Sequence, residues 1–327
     1  MILTLTANPS IDRTCTVAVP LERGGVYRLS DPEDVAGGKG INVSGAAHLA
    51  GRRTLALYPA SRNGRFTRLV RDCGLPHRAI ATDDEARVNL TIIEADGTTT
   101  KLNTPGPELS EPQRRRCLDY LCRFAGDARW VVLAGSLPPG VPADFYLEAV
   151  RVVRHAAPSA RIAVDTSDAP LRTLGDALAA GDRGSLPDLL KPNGVELGQL
   201  AGVDGAALEE RAAEGDLDGV IAAARKVNAR GLPELLITLG AAGAVLSVAD
   251  GPILHATSPS ITPLSTVGAG DSALAGYLLA RDAGEDPAGC LRLAVAYGAA
   301  ATALPGTTPP RPDQAHPEQS EVTVLDG

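Results

Sequence analysis

Short apolar runs alternate along the chain with longer stretches in which apolar positions recur every three or four residues. The runs at 2–6, 54–58, 130–133, 162–165, 189–191, 235–238 and 244–248 read as buried strands. The stretches 41–50, 112–123, 143–155, 194–201, 217–230, 271–283 and 287–303 read as helices, the second carrying Leu118, Leu121 and Cys122 on one face. Strands separated by helices predict βαβ units, and so an α/β architecture with a mostly parallel central sheet.

Two stretches break this rhythm. Residues 11–36 and 87–102 alternate with period two, as in Thr14-Cys15-Thr16-Val17 and Val88-Asn89-Leu90-Thr91-Ile92. The second contains Asp96-Gly97, a hairpin signal, and together they predict a small antiparallel sheet inserted into the α/β body. Residues 309–319 are polar and Pro-rich and read as a loop or mobile tail ahead of a short strand at 322–325. No internal repeat is visible.

Composition narrows the function classes. With 44% hydrophobic and 21% charged residues the chain is globular, and disorder as its general state is excluded. A formal charge of −8 argues against nucleic acid as a partner, though local cations could still hold one anionic small molecule. No apolar run reaches the roughly 18 residues of a membrane span, and Asn8-Pro9 follows the first strand where a signal peptide would continue. Five cysteines without a C-x-x-C pair fit reduced thiols in a cytoplasmic protein. Aromatics are 3%, so the core must be aliphatic. Only Lys39, Lys101, Lys191 and Lys226 are lysines amid many arginines, which marks each as a place where a compact ammonium could be needed, or as mere genome bias.

Four segments could carry chemistry. Ser265-Thr266-Val267-Gly268-Ala269-Gly270-Asp271-Ser272 runs into a helix; its small residues let backbone N–H groups converge on an anion. Asp271 beside such an anion could take the proton of an attacking hydroxyl, or could simply cap the helix. Gly37-Gly38-Lys39-Gly40-Ile41-Asn42 is a second glycine turn entering a helix, and is neither a P-loop nor a dinucleotide fingerprint. Lys191-Pro192-Asn193-Gly194-Val195-Glu196 ends a strand where α/β sheets bind ligands; Asn193 and Glu196 could order water around Mg²⁺ or form a helix cap. Thr238-Leu239-Gly240-Ala241-Ala242-Gly243 could approach phosphates or be a plain hairpin turn. Gly135-Ser136-Leu137-Pro138-Pro139-Gly140 ends another strand, and Asp12 and Arg87 lie on the insert.

In this order, from Asn8-Pro9-Ser10-Ile11-Asp12 to Pro305-Gly306-Thr307, the segments resemble the ribokinase superfamily, and within it the phosphofructokinase B branch. Gly37 to Val43, Ala134 to Gly140 and Thr100-Lys101-Leu102-Asn103-Thr104-Pro105-Gly106-Pro107 look most like bacterial 1-phosphofructokinases, with tagatose-6-phosphate kinases and minor 6-phosphofructokinases as near relatives. The resemblance implies one ribokinase-like domain over 1–327, a three-layer αβα fold, with a β-sheet lid from about 11–36 and 87–103 that closes over the sugar and pairs into a homodimer. It implies ATP-dependent phosphorylation of fructose 1-phosphate to fructose 1,6-bisphosphate. Asp271 would be the base, and Gly268, Ala269 and Gly270 the anion hole. Asp12, Gly38 and Asn42 would bind sugar hydroxyls, and Arg87 the substrate phosphate. Arg28, from a neighbouring subunit, Lys39 and Ser136 would complete that pocket. Lys191, Asn193, Glu196, Thr238, Gly240 and Gly243 map to ATP and Mg²⁺, the metal held by Asn193 and Glu196 through water. Ser265, Val267, Ala301 and Gly306 map to a monovalent cation, K⁺.

The pattern also departs from the family. Ala60-Ser61, followed by Arg62, stands where a glycine pair is usual, and Thr104 stands where related enzymes often carry Glu. Both bear on the sugar site and keep tagatose 6-phosphate and fructose 6-phosphate as alternative substrates. A non-catalytic sugar-phosphate-binding protein would have no use for Asp271, and a nicotinamide-dependent oxidoreductase would need a fingerprint after residues 2–6 that is missing. The acidic stretch 204–219 reads as a solvated helix near the nucleotide side.

Overall fold

The structure, a computed structural model, describes residues 1–30 and 32–326. Asp31, inside the predicted lid segment, and Gly327, which ends the predicted domain, lie outside the described residues. The chain opens with β1 (Ile2–Thr6), β2 (Ser10–Val17), β3 (Glu33–Gly37), α1 (Lys39–Leu49), β4 (Thr54–Ala60), α2 (Arg65–Asp72) and β5 (His77–Ala81). Then come β6 (Arg87–Glu94), β7 (Thr99–Leu102), α3 (Glu111–Ala125), β8 (Trp130–Ala134), α4 (Phe145–Ala156), β9 (Arg161–Asp165) and α5 (Asp168–Ala180). After β10 (Leu189–Leu190) follow α6 (Gly194–Ala201), α7 (Gly205–Ala213), α8 (Asp218–Ala229), β11 (Glu234–Thr238), β12 (Ala244–Val248) and β13 (Ile253–Ala256). The chain closes with α9 (Ala269–Ala283), α10 (Pro287–Thr302) and β14 (Val322–Asp326).

A 10-stranded sheet has the order β14-β13-β12-β11-β10-β9-β8-β1-β4-β5. It is parallel from β11 to β5 and antiparallel from β11 to β14. The parallel strands are apolar on both faces because helices cover both. On one face α1, α9 and α10 bury Val43, Ala47, Leu274, Leu278 and Leu291. On the other, α3, α4, α5, α6 and α8 bury Leu121, Val150, Leu174, Leu197 and Val227. The core is mainly aliphatic, as the composition requires, but its largest buried side chains are Trp130, Tyr58, Tyr146, Tyr277, Phe66 and Phe145.

The insert is a separate 4-stranded sheet, β3-β2-β6-β7. Here the expectation of an antiparallel sheet needs correction. β2 pairs with β3 antiparallel and β6 with β7 antiparallel, but the central pair, β2 and β6, is parallel. Period-two alternation gives the faces of a strand and not its direction. The crossover between β2 and β6 passes through α1, β4, α2 and β5, long enough to return the chain in the same sense. The predicted Asp96-Gly97 turn joins β6 to β7, with Gly97 at φ 89°.

The other differences lie between the predicted elements. The pattern does not predict α2, α5, β5 or β13. The Pro-rich 309–319 segment forms two short 3₁₀ turns, and β14 then pairs with β13. The acidic 204–219 stretch contains α7, whose N-cap Asp204 accepts from the Ala206 and Ala207 N–H groups at 3.0 and 3.2 Å.

Candidate active site

The order of the large sheet reverses between β1 and β8. From β1 the chain steps outward through β4 and β5, and from β8 it steps the other way through β9, β10 and β11. A crevice outside the carboxyl ends of the strands at such a reversal is where open α/β sheets bind ligands. Asn8 follows β1 and Ser136 follows β8. The Asn8 amide donates to Ser136 Oγ at 3.2 Å and to the Pro105 carbonyl at 3.0 Å.

A group of charges lies along the same edge. Asp165, the last residue of β9, is fully buried and ion-paired with Lys39 at the start of α1; the Lys191 ammonium, just after β10, is 3.1 Å from its other oxygen. Burial pushes the Asp165 carboxyl up, but the Lys191 and Lys39 ammoniums outweigh it and hold it below the usual carboxylate range. Desolvation opposes the charge on Lys39, while Asp165, then Asp271 and Glu196, raise its pKa above that of an ordinary lysine.

Asp271 occupies the first turn of α9 and is 6% exposed. The Asn42 amide, one turn into α1, donates to its Oδ2 at 2.7 Å. Burial first, and the charge of Asp165 second, push Asp271 up to about 6, against the pull of Lys39, the Asn42 hydrogen bond and Lys191. The cap alternative is not realised: Gly268 is the N-cap of α9, at φ 79°, and no side chain caps the helix. The first-turn amides of α9 therefore remain for an anion. A Cβ on Gly270 would sit 3.1 Å from Lys191 Nζ, so that ammonium lies against the same turn.

The small sheet supplies the facing wall. Asp12 Oδ1 accepts from Ser10 Oγ at 2.7 Å and from the Asn89 amide at 3.1 Å. Burial raises the Asp12 carboxyl, opposed by those two hydrogen bonds and by Arg87. The glycine turn is dictated by close approach. A Cβ at Gly37 would lie 2.1 Å from Asp12 Oδ2, and one at Gly38, whose φ is 110°, would lie 2.7 Å from Thr6 Cγ2. Arg87 donates to the Thr104 carbonyl at 2.8 Å, and Thr104 Oγ1 donates to the Val88 carbonyl at 3.1 Å. Among the described residues, Asn8 Oδ1, Arg87 Nε, Asn89 Oδ1 and Thr307 Oγ1 are buried without hydrogen-bond partners. Orphaned polar atoms gathered at one place mark a site that a ligand completes. Between Asp12, Asn89 and Lys101 on one side and Ser265, Thr266 and Val267 on the other lies a cavity of about 430 Å³.

On the predicted nucleotide side, Asn193 and Glu196 form a reciprocal cap. The Glu196 N–H donates to Asn193 Oδ1 at 2.8 Å and the Asn193 N–H to Glu196 Oε2 at 2.9 Å. This is the capping alternative, realised. Burial raises the Glu196 carboxyl, with Lys39 and Lys191 pulling it down, so the cap also lies within the field of the lysine pair. Thr238 bridges to Asn193, its N–H donating to the Pro192 carbonyl at 3.0 Å. Gly240 opens a 3₁₀ turn ending at Gly243, where a Cβ would lie 2.0 Å from the Ala256 carbonyl oxygen. Among the described residues no cluster of three His, Cys, Asp or Glu side chains could hold a metal ion directly. Mg²⁺ keeps most of its waters, so a single buried carboxylate beside bound phosphates still fits it.

Not every predicted residue joins the site. Arg28 is exposed on the connection between β2 and β3. Of the predicted cation residues, Ser265, Val267 and Gly306 line the large cavity, whereas Ala301 is buried in α10 with its carbonyl accepting from the Leu304 N–H at 3.1 Å. Conversely, the sequence assigns no site role to Asp165, Asn8, Ser10 or Asn89. Asp165 carried a readable signal, a lone acid closing the apolar run Ile162-Ala163-Val164 at a strand's carboxyl end. Glu209 carried none: from the acidic α7 it accepts from the Gly194 and Val195 N–H groups at 3.1 and 3.3 Å and so holds the start of α6.

Known proteins share this architecture and sequence. The family model for pfkB family carbohydrate kinases matches residues 5–314. A 1-phosphofructokinase of Haloferax volcanii is 34% identical over 99% of this chain and 98% of its own. An ATP-dependent 6-phosphofructokinase isozyme 2 of Mycobacterium tuberculosis is 32% identical over 94% of this chain and 85% of its own. The crystal structure of phosphofructokinase-2 from Escherichia coli in complex with substrates and products superposes with a TM-score of 0.83 at 28% identity, covering 96% of each chain. The fold is thus ribokinase-like, the chemistry that of an ATP-dependent sugar kinase, and the chain belongs to the pfkB family of carbohydrate kinases.

Proposed function

We propose that the protein transfers the γ-phosphoryl group of ATP to the 6-hydroxyl of fructose 1-phosphate, giving ADP and fructose 1,6-bisphosphate. The observation that carries this reading is the buried Asp271, held by Asn42 at the uncapped start of α9, beside two lysines bridged by Asp165. Asn42 engages Oδ2, and Asp271 takes the hydroxyl proton on Oδ1. The hydroxyl oxygen bonds to the γ-phosphorus as the bond from phosphorus to the bridging oxygen breaks, and that electron pair leaves with ADP. The proton then passes from Asp271 to solvent. A base with a pKa of about 6 is ionised at neutral pH yet still binds a proton in the transition state. The amides of Gly268, Ala269 and Gly270, with Lys191 against them, neutralise charge on the transferring group.

Asp12, Gly38, Asn42 and Ser136 bind the sugar, Arg87 and Lys39 its phosphate, and Lys191, Asn193, Glu196, Thr238, Gly240 and Gly243 the nucleotide. Mg²⁺, when bound, neutralises the nucleotide phosphates, and Asn193 and Glu196 would hold it through water. Ser265, Val267 and Gly306, with Ala301 behind them, would hold K⁺. The small sheet acts as the lid, and its pairing with a second copy brings Arg28 to the neighbouring site in a cytoplasmic homodimer.

The test is ADP release with ATP and Mg²⁺ across fructose 1-phosphate, fructose 6-phosphate, tagatose 6-phosphate and unphosphorylated sugars. The highest kcat/KM is expected with fructose 1-phosphate. A preference for fructose 6-phosphate, which the M. tuberculosis relative's name makes the second reading, would move the substrate and keep the mechanism. Sugar-phosphate binding without ADP release would refute the kinase reading.

A further inference from the structure

Behind the site, between β3, α1, α2 and the segment after α10, lies a second cavity of about 370 Å³. Val35, Ile41, Leu49, Val70 and Leu75 give it apolar walls. Arg311 and His48 are its basic lining residues, and among the described residues no Asp or Glu lines it. Two of its lining residues belong to the active site as well. Asn42 is the donor to Asp271, and Thr307 lines both cavities with a buried Oγ1 that lacks a partner. Gly268 packs on this partition: a Cβ there would be 3.7 Å from Asn42 Nδ2 and 3.8 Å from Thr307 Cα.

We infer that this second cavity is a binding site for a small amphiphilic anion, an apolar body bearing one carboxylate, and that its occupancy is felt at Asp271 through Asn42 and Thr307. The volume and lining are those of a small-molecule site, with few polar groups to fix orientation. Arg311 supplies a guanidinium suited to a carboxylate, and the absence of lining acids removes the repulsion an anion would otherwise meet. Thr307 offers an unmet hydrogen bond at the inner wall. A ligand pressing on that wall disturbs the base and the start of α9 without touching the sugar subsite at Asp12 and Arg87. It therefore lowers kcat.

The cavity carries its own reporter. Cys73 lines it and is exposed, while Cys122, also exposed, lies on α3 outside it. In the experiment, alkylation of both thiols is followed by mass spectrometry at alkaline pH with increasing octanoate, and with octylamine as the charge control. Saturable protection of Cys73 by octanoate alone, with Cys122 unchanged, is the expected result. Arg311→Ala should weaken it about tenfold, the loss of one charge-assisted hydrogen bond. Leu49→Trp, at a 41% exposed position, should block it by filling the cavity. Equal protection of both thiols, equal protection by octylamine, or none at all overturns the site. This readout is independent of kinase activity, so it stands or falls apart from the proposed reaction. A parallel assay of ADP release tests the coupling: kcat should fall with octanoate in the unaltered protein and not in Arg311→Ala, and protection of Cys73 with kcat unchanged overturns the coupling.

Discussion

Asp165 and Asp12 are both buried carboxylates at the cleft, yet they are held in opposite ways. Asp165 has two ammoniums in contact, and its pKa falls; Asp12 is hydrogen-bonded only by neutral donors, Ser10 and Asn89, and burial raises its pKa against them and the charge of Arg87. The same contrast runs through their surroundings. Around Asp165 the charges are matched within the protein, although Oδ2 has the Lys191 charge and no hydrogen bond, whereas around Asp12 lie Asn8 Oδ1, Arg87 Nε and Asn89 Oδ1, without partners among the described residues. The body of the molecule thus carries a pre-assembled electrostatic centre, and the small sheet carries unmet hydrogen bonds that only a ligand can satisfy. Transition-state stabilisation gains from the first arrangement, because fixed charges need no reorganisation during reaction. Selection of a polyhydroxy substrate gains from the second, because an ill-fitting sugar leaves those groups buried and unpaired.

The contrast can be attacked from its strongest point downward. Asp271→Asn should lower kcat by about 10²–10⁴-fold while the sugar KM changes little, measured by ADP release. The same variant tests the cost of holding that carboxylate. Its folded pKa, about 6, lies above that of an unfolded Asp, so the folded state binds the proton more tightly and the acid form favours folding. Stability contributed by this group is present at low pH and is lost as pH rises through about 6. At neutral pH Asp271→Asn should therefore melt higher than the unaltered protein, and an unchanged or lower Tm would contradict the assignment. In the unaltered enzyme, kcat/KM should decline as pH falls below about 6.

Asp165→Asn leaves two ammoniums facing each other without their counter-charge. Loss of one partner in a buried ion pair costs about 3–5 kcal/mol, to be read by urea unfolding. On the small-sheet side, Arg87→Ala should raise the sugar-phosphate KM with kcat held nearly constant. The loss of a charged hydrogen bond, about 1.5–3 kcal/mol, corresponds to roughly 10–100-fold. An equal fall in kcat would place Arg87 in the transition state and erase the distinction between the halves. The smallest effect is expected from Gly37→Ala, which forces a methyl against the Asp12 carboxylate at about 1–3 kcal/mol of overpacking. A rise in sugar KM should accompany that loss, since Asp12 must move.

Much of the parallel sheet was legible in the chain because a fully buried strand such as β8 is an uninterrupted apolar run. The helices that the pattern does not predict have local reasons. In α2, Arg65, Arg68, Arg71 and Asp72 crowd eight residues and leave Phe66 and Val70 as the main buried side chains. In α5, Pro170 and Gly175 obscure the pattern, although Pro belongs in a first turn. The Gly-Ala-Gly-Asp turn was readable because its chemistry is contiguous. The Asp165 centre was legible only in part: the acid closing an apolar run stands out, but its two lysines reach it from separate segments through space. The reciprocal cap at Asn193 and Glu196 shows the converse: a local pattern can be read as a cap or as a ligand set, and the fold realises the cap within reach of the lysine field.

The parallel pairing of β2 with β6 has a mechanical consequence. The chain enters the small sheet after Asn8, leaves at Gly38, returns at Arg87 and leaves again after Leu102, so the sheet is moored to the body at both ends of both segments. Such a plate has no single hinge to swing on; it can only slide or tilt against all its moorings together. Anyone transplanting it between relatives must exchange two non-contiguous stretches at once, because either one alone would arrive without half of its central ladder.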